Sequence, residues 1–156
     1  MPYRIARSVF VLVLLGALPA AARDIAVVVN KYTPAGSMTV AELVKVCKAE
    51  TSRWPDGKPV TFIMRAPSAP EMTVVVQKIY GLSESDVSDL IVNANHGRTN
   101  HPAILIVNSD EDLVNKVAST PGAVGVVDVY SINSSVGVIK IAGKLPLEPG
   151  YLLHGN

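Results

Sequence analysis

The stretch from Asp110 to Asp128, DEDLVNKVASTPGAVGVVD, contains a helix and a strand separated by a turn. Leu113 and Val117 recur at helical spacing, which predicts a helix with one apolar face. Pro121-Gly122 ends that helix, because proline cannot continue it and glycine accepts the backbone conformation of the turn. Residues 123–127, AVGVV, are short, apolar and rich in valine, as in a strand covered on both faces. The stretch therefore predicts a helix-to-strand unit of an α/β protein.

The rest of the chain continues this alternation. A Ser or Thr stands three residues before an acid at each predicted helix start, the pattern in which each side chain satisfies a free backbone N–H of the other residue. These pairs are Thr39 with Glu42, Ser68 with Glu71, Ser83 with Asp86, and Ser109 with Asp112. Predicted helices cover residues 40–49, 69–80, 84–92 and 110–119, and predicted strands cover 25–30, 60–65, 103–107, 123–128 and 136–141. The order predicts one α/β domain.

The first residues have the organisation of an export signal. Arg4 and Arg7 precede an apolar run over residues 9–18, and the small residues Ala20–Ala22 follow. The apolar run is too short to span a bilayer comfortably. We therefore expect residues 1–22 to be a signal peptide that is removed, which leaves a periplasmic protein with no stable membrane insertion. An uncleaved membrane anchor is the alternative.

Charge and cysteine content exclude several classes of protein. Loss of Arg4 and Arg7 turns the formal net charge of +1 into −1, which provides no field to attract nucleic acid or anionic lipid. The single cysteine, Cys47, cannot form an internal disulfide. Its helical spacing from Leu43 and Val44 predicts a small core residue, with a reactive thiol as the alternative.

Four segments match a known family in the same order. They are IAVVVN at 25–30, MTVAELVKVCKAETSRW at 38–54, the strand at 60–65 that ends in Arg, and TPGAVGVV at 120–127. Over residues 25–141 the chain resembles the second lobe of periplasmic phosphate-binding proteins, the solute receptors of ABC phosphate importers. The resemblance implies a single lobe of the type 2 periplasmic-binding-protein-like fold, with a central mixed sheet flanked by helices. The expected domain covers residues 23–143, and composition predicts an irregular tail over 144–156.

The resemblance also indicates where a ligand would bind. In the family a strand ends in Arg and enters a loop such as R-x-x-G-S-G-T, whose hydroxyls and backbone N–H groups contact the anion. Arg65 matches that Arg, and Ser68 lies in the loop. However, Ala69, Pro70 and Glu71 replace the family's Ser, Gly and Thr. Proline supplies no N–H and Glu71 brings a like charge to an incoming anion, so the loop is predicted to be closed to phosphate.

Three of the candidate binding residues have competing structural interpretations. Arg65 is the best candidate for an anion contact, and a salt bridge with Glu71 is the alternative. Ser37 either lines the expected cleft or caps a turn after Pro34-Ala35-Gly36. Arg98 either contacts an anion or is an exposed loop residue.

Catalysis finds no support in the sequence. The chain lacks a GxSxG elbow, a Walker loop and an HExxH motif, so it is not expected to be an enzyme or to need a cofactor. The acids at 110–112 are explained by the helix dipole. His96 and His101 can reach one metal in principle, but no Cys or acid accompanies them in their loop and a solvated loop is preferred.

Two functions remain open at this point. The first is a receptor-like protein that binds phosphate or another small oxyanion and serves an ABC permease. The second is a single-lobe module without a small ligand that binds another envelope protein, which would supply the missing lobe. The family resemblance favours the first function, and the altered loop and the single lobe favour the second.

Overall fold

The computed structural model describes residues 23–155, so the predicted signal peptide lies outside the described residues. The strands are β1 (Ile25–Asn30), β2 (Ser37–Met38), β3 (Thr61–Arg65), β4 (Ile104–Val107), β5 (Ala123–Asp128), β6 (Val136–Val138) and β7 (Lys140–Ile141). The helices are α1 (Val40–Cys47), α2 (Thr73–Val75), α3 (Glu84–Ala94) and α4 (Asp110–Ser119). A 3₁₀ turn (Pro70–Met72) precedes α2 and a π-helical turn (Val76–Tyr80) follows it, and we call this run the composite helix.

The central sheet has five strands in the order β4-β3-β5-β1-β6. Strand β3 runs parallel to β4 and β5, whereas β1 is antiparallel to β5 and β6. The carboxyl ends of β3, β4 and β5 therefore lie along one edge of the sheet, which we call the carboxyl edge. Strands β2 and β7 form a separate parallel pair. This mixed sheet with flanking helices confirms the predicted fold class.

Strand β1 separates two hydrophobic cores. Ile25, Val27 and Val29 face a core built with α1, the composite helix and α3. Ala26 and Val28 face a second core, which contains the apolar stripe of α4. This alternation explains why all six residues of β1 are buried.

Helix α4 lies very close to the sheet at one glycine of β5. A Cβ atom added at Gly125 would lie 2.9 Å from Leu113 Cδ2 and 3.1 Å from the carbonyl oxygen of Ile63. A side chain at this position would therefore push α4 away from the sheet. The glycine inside the valine-rich strand is explained by this close packing.

Three of the four predicted helix caps are present. Thr39 and Glu42 form a complete capping box, and the hydroxyls of Ser83 and Ser109 each accept a backbone N–H at the start of α3 and α4. The prediction for Ser68 is wrong. The composite helix begins after Ala69 with no side-chain cap, because Pro70 starts a 3₁₀ turn there.

The C-terminal tail lacks regular structure but packs into the protein. Leu153 is fully buried in the first core, and its carbonyl oxygen accepts a hydrogen bond of 2.9 Å from the backbone N–H of Ile25. The Tyr151 hydroxyl donates to the carbonyl oxygen of Ile25 at 2.8 Å. Burial raises the pKa of Tyr151, so this hydroxyl stays protonated as a donor in alkaline solution in which an exposed tyrosine begins to ionise. The tail therefore completes the core beside the start of β1.

Cys47 is a core residue, as predicted. Its side chain is fully buried at the end of α1, and desolvation by burial raises the pKa of the thiol. A raised pKa keeps the thiol neutral, and the neutral form is a poor nucleophile. The alternative of a reactive thiol is not supported.

Shortening the buried leucine of the tail should destabilise the protein. We expect Leu153→Ala to lower the free energy of unfolding by about 2–5 kcal/mol, because it leaves a cavity in the core. Leu147→Ala, in the same tail but exposed, should change it by less than about 0.5 kcal/mol. Urea denaturation followed by tryptophan fluorescence measures both values. Equal and small losses would show that the tail is not part of the cooperative fold.

The thiol of Cys47 should react only after unfolding. With a disulfide reagent at pH 8, labelling of the native protein should be slow, and labelling in concentrated urea should be complete. The rate of release of the chromogenic thiolate measures both states. Rapid labelling under native conditions would contradict the buried position.

Candidate functional site

The carboxyl edge brings together three polar side chains from three neighbouring strands. Arg65 is the last residue of β3, Asp110 begins α4 shortly after β4, and Ser131 ends a 3₁₀ turn that follows β5. Because these strands are adjacent and parallel, their carboxyl ends meet at one place. The edge is therefore the place to look for a ligand site.

Arg65 is already held by carboxylates at this edge. Its Nη1 atom lies 3.0 Å from Asp110 Oδ1 and 3.7 Å from Glu71 Oε1. The Ser131 hydroxyl donates to the other oxygen of Asp110 at 3.0 Å. The side chains of Arg65 and Asp110 are only 20% and 21% exposed, so this ion pair is partly shielded from water. We call these four residues the Arg65 cluster.

The charges of the Arg65 cluster oppose the binding of an anion such as phosphate. One guanidinium faces two carboxylates, and the exposed acids Glu111 and Asp112 lie in the first turn of α4. At an effective dielectric of 20, two like charges 4 Å apart repel by about 4 kcal/mol. A typical hydrogen bond returns about 0.5–1.5 kcal/mol. An incoming phosphate would therefore lose more by repulsion from one carboxylate than a single hydrogen bond returns.

Arg65 nevertheless retains donor capacity. A guanidinium has five N–H donors, and the contacts of Arg65 within residues 23–155 all use Nη1. Nε and Nη2 have no protein partner in that range. The carboxylates therefore occupy only the Nη1 side of the guanidinium.

The other predicted site residues lie in different places: Ser68 is in the loop that directly follows Arg65, whereas Arg98 and Ser37 lie elsewhere. Ser68 is exposed in the turn after β3, where it caps no helix. Arg98 is exposed in the loop that leads into the start of β4, which is the edge of the sheet opposite to Arg65. The carboxyl edge therefore gathers one basic candidate, Arg65.

Ser37 lines a separate groove of about 610 Å³. The groove also contains Glu42, Arg53 and Trp54. The Trp54 indole N–H donates to the carbonyl oxygen of Gly122, directly before β5, which places this wall of the groove at the amino end of the parallel strands. Ser37 is exposed on β2 and does not share a site with Arg65.

Two members of the Arg65 cluster were missed by sequence reasoning. Asp110 was explained by the helix dipole alone, and Ser131 drew no attention. Both lie just after a strand, as Arg65 lies at the end of one. The rule that parallel strands gather their carboxyl ends at one edge was the available signal, but using it requires the order of the strands.

Metal binding and membrane crossing find no support in the part of the chain that the structure describes. Between residues 23 and 155, no three His, Cys, Asp or Glu side chains are grouped so that they can hold a metal ion. His96 and His101 are exposed. None of the helices in that range has the length and apolar character needed to cross a bilayer.

Substitutions can show whether Asp110 stabilises the protein through Arg65 or only through the helix dipole. We expect Asp110→Asn to lower the free energy of unfolding by about 1–3 kcal/mol, because it removes a partly buried charged hydrogen bond to Arg65. Glu111→Gln, at the next and exposed position, should lose only the dipole contribution of about 0.3–1 kcal/mol. Urea denaturation at low salt compares the two variants. Equal losses would show that Asp110 acts through the dipole alone.

Comparison with known proteins places the chain in a family. The family model for the PBP superfamily domain matches residues 15–147. No curated protein sequence matches the chain significantly. The fold is similar to that of an ABC-type phosphate transport receptor from Vibrio cholerae, with a TM-score of 0.69 and 19% identity over 86% of this chain and 54% of the receptor.

Two further structures give the same result. PstS from Borrelia burgdorferi has a TM-score of 0.65 and 14% identity, over 86% of this chain and 55% of PstS. The phosphate-binding protein of Stenotrophomonas maltophilia has a TM-score of 0.60 and 17% identity, over 80% of this chain and 40% of that protein. The chain thus spans about half the length of these proteins or less. They are binding proteins and not enzymes, in agreement with the sequence prediction. The chain belongs to the PBP superfamily domain family, and it has the fold of a single lobe of the phosphate-binding proteins of ABC transporters.

Proposed function

We propose that this protein is an exported single-lobe module that binds another protein of the cell envelope, and that it does not hold free phosphate on its own. The observation that supports this proposal is the Arg65 cluster. The guanidinium that an anion would need is paired with Asp110 and Glu71, and the surrounding first turn of α4 is acidic.

The size of the chain supports the same proposal. A pocket for a small ligand usually buries most of the ligand's surface, which requires walls on more than one side. One lobe provides one wall, and the chain spans about half the length of the V. cholerae receptor. A small ligand held in this way would therefore need a second wall beside this lobe.

Export completes the proposed function. Residues 1–22 have the sequence pattern of a signal peptide, and we assign the protein to the periplasm on that basis. The module then consists of the domain at 23–143 and the tail at 144–156. An uncleaved N-terminal anchor would place the same module at the membrane surface.

A second candidate function is the binding of phosphate or another small oxyanion between this lobe and a second chain, such as an ABC permease or an envelope protein. The Nε and Nη2 donors of Arg65, which have no protein partner among residues 23–155, favour it. A second wall that carried positive charge would offset the repulsion from Asp110 and Glu71.

Titration with anions tests the main proposal. For the purified protein without its signal peptide, we expect no change in melting temperature with phosphate, sulfate or molybdate. A functional site at a ligand concentration one hundred times Kd would stabilise the fold by about 2.7 kcal/mol, which is easily measured. A clear rise in melting temperature for the wild-type chain alone would overturn the proposal.

Charge-neutralised variants extend this test. In Glu71→Gln with Asp110→Asn, Arg65 loses both carboxylate partners, so weak stabilisation by phosphate is expected to appear. The matched control adds Arg65→Ala to the same variant and should abolish the effect. Stabilisation that persists without Arg65 would place the anion elsewhere.

A further inference from the structure

The groove at the amino end of the parallel strands has walls from three segments of this one lobe. Residues 34–38 at β2, Glu42 and Val46 of α1, and the loop at 51–55 line it, and we call it the Trp54 groove. Its volume of about 610 Å³ lies in the range of pockets that hold small organic molecules. Unlike the carboxyl edge, this groove offers a ligand several walls without a second chain.

Hydrogen bonds within the lobe hold these walls in place. Trp54 donates its indole N–H to the carbonyl oxygen of Gly122 at 2.8 Å and its backbone N–H to that of Lys58 at 2.9 Å. Pro34 and Pro55, in two different walls, restrict the backbone further. Walls that are ordered before binding lose less entropy on association.

Strand β2 has free backbone groups beside the groove. The carbonyl oxygens of Gly36 and Met38 accept backbone N–H groups of Lys140 and Ala142, at 3.1 and 2.9 Å. Because neighbouring residues of a strand direct their backbone groups to opposite sides, Ser37 turns its N–H and C=O away from β7. Among the residues that the structure describes, Ser37 lines the groove and no residue of β7 does. The backbone of Ser37 can therefore pair with an extended peptide.

Two side chains of opposite charge line the Trp54 groove. They are Glu42 of α1 and Arg53 of the loop, and the described lining contains no other charged side chain. Within residues 23–155 neither forms an ion pair, whereas the neighbouring Asp56 and Lys58 pair with each other at 3.2 Å. The groove therefore carries one positive and one negative charge that are both available to a ligand.

Each of these two charges is held by one local hydrogen bond and keeps further binding capacity. Glu42 Oε2 accepts the backbone N–H of Thr39 at 2.8 Å, which leaves Oε1. Arg53 Nη1 donates to the carbonyl oxygen of Gly57 at 2.8 Å, and no hydrogen bond within residues 23–155 uses its Nε or Nη2. An ammonium group can therefore bind Glu42, and a carboxylate can bind the remaining donors of Arg53.

The two charges together select the kind of ligand. An anion alone would be repelled by Glu42, and a cation alone would be repelled by Arg53. An uncharged molecule would take water from both charges without pairing either of them. A molecule with one carboxylate and one ammonium group pairs both, and a peptide unit in the same molecule matches the free N–H and C=O of Ser37.

We propose that the Trp54 groove binds a short peptide with free ends. The carboxylate of the peptide binds Arg53, its ammonium group binds Glu42, and a peptide unit pairs with the backbone of Ser37. The groove and the Arg65 cluster lie at opposite ends of the parallel strands. This site therefore goes beyond the proposed function and does not depend on it.

Titration calorimetry with trialanine tests the site. The purified protein without its signal peptide should bind trialanine. N-acetyl-trialanine and trialanine amide, which each lack one charge, should bind about fivefold more weakly. Free alanine should also bind more weakly, because it has no peptide unit to pair with Ser37. Trp54 is the only tryptophan of the chain, so a change in tryptophan fluorescence on binding locates the peptide in this groove.

Charge variants assign the two ends of the peptide. Glu42→Gln keeps the cap of α1, since Gln serves in a capping box as Glu does, and it should abolish the difference between trialanine and its N-acetyl form. Arg53→Gln should abolish the difference between trialanine and its amide. Glu111→Gln, at the carboxyl edge, is the matched control and should change neither difference.

A bulky residue at position 36 should block the groove. Apart from its chain neighbours, a Cβ atom added at Gly36 would have no atom within 4 Å, so Gly36→Phe should fold and lose trialanine binding, whereas Gly36→Ala should keep it. Melting temperatures without ligand show that the variants are folded. Absence of trialanine binding at millimolar concentration, or binding unchanged by Gly36→Phe and by both charge variants, would overturn the inference. Neither result would bear on the protein partner of the proposed function.

Discussion

Strand β1 is the constraint on which the rest of the fold depends. It pairs with β5 on one side and β6 on the other, and both of its faces are buried. A buried polar side chain fixes each end. Asn30 donates to the carbonyl oxygens of Val117 and Ala118 at the end of α4, and Asp24 accepts the Leu147 N–H of the tail. Because each unpaired buried polar group would be costly, sheet, helix and tail are held in one arrangement.

Much of this fold could be predicted from local patterns. Valine-rich runs located β1 and β5 to the residue, and hydroxyl caps located three of the four helix starts. The strand pair β2 and β7 was not predicted as such, because strands of two residues carry no periodicity. Pro70 moved the start of the composite helix, because the residue before a proline is disfavoured in the helical conformation and Ala69 is extended.

The candidate site was less accessible to sequence reasoning. Arg65 and Glu71 were recognised because they are close in the chain, in the segment that corresponds to the anion-binding loop of the family. Asp110 contacts Arg65 at 3.0 Å across 45 residues, and only the order of the strands brings the two together. The helix dipole already explained an acid at position 110, so there was no reason to expect its ion pair with Arg65. Polar contacts between residues that are far apart in the chain alter neither the periodicity nor the composition of the sequence, so neither property predicts them.

The position of β1 also bears on when the protein can fold. Ile25 pairs with Asp128 and contacts Tyr151 across 126 residues, so β1 has no partner strand until most of the chain is available. Proteins whose contacts are mostly between residues distant in the chain fold slowly. Together with the proposed export, this order of events would keep the chain open during passage through a narrow translocation channel, so that its sheet assembles on the far side of the membrane.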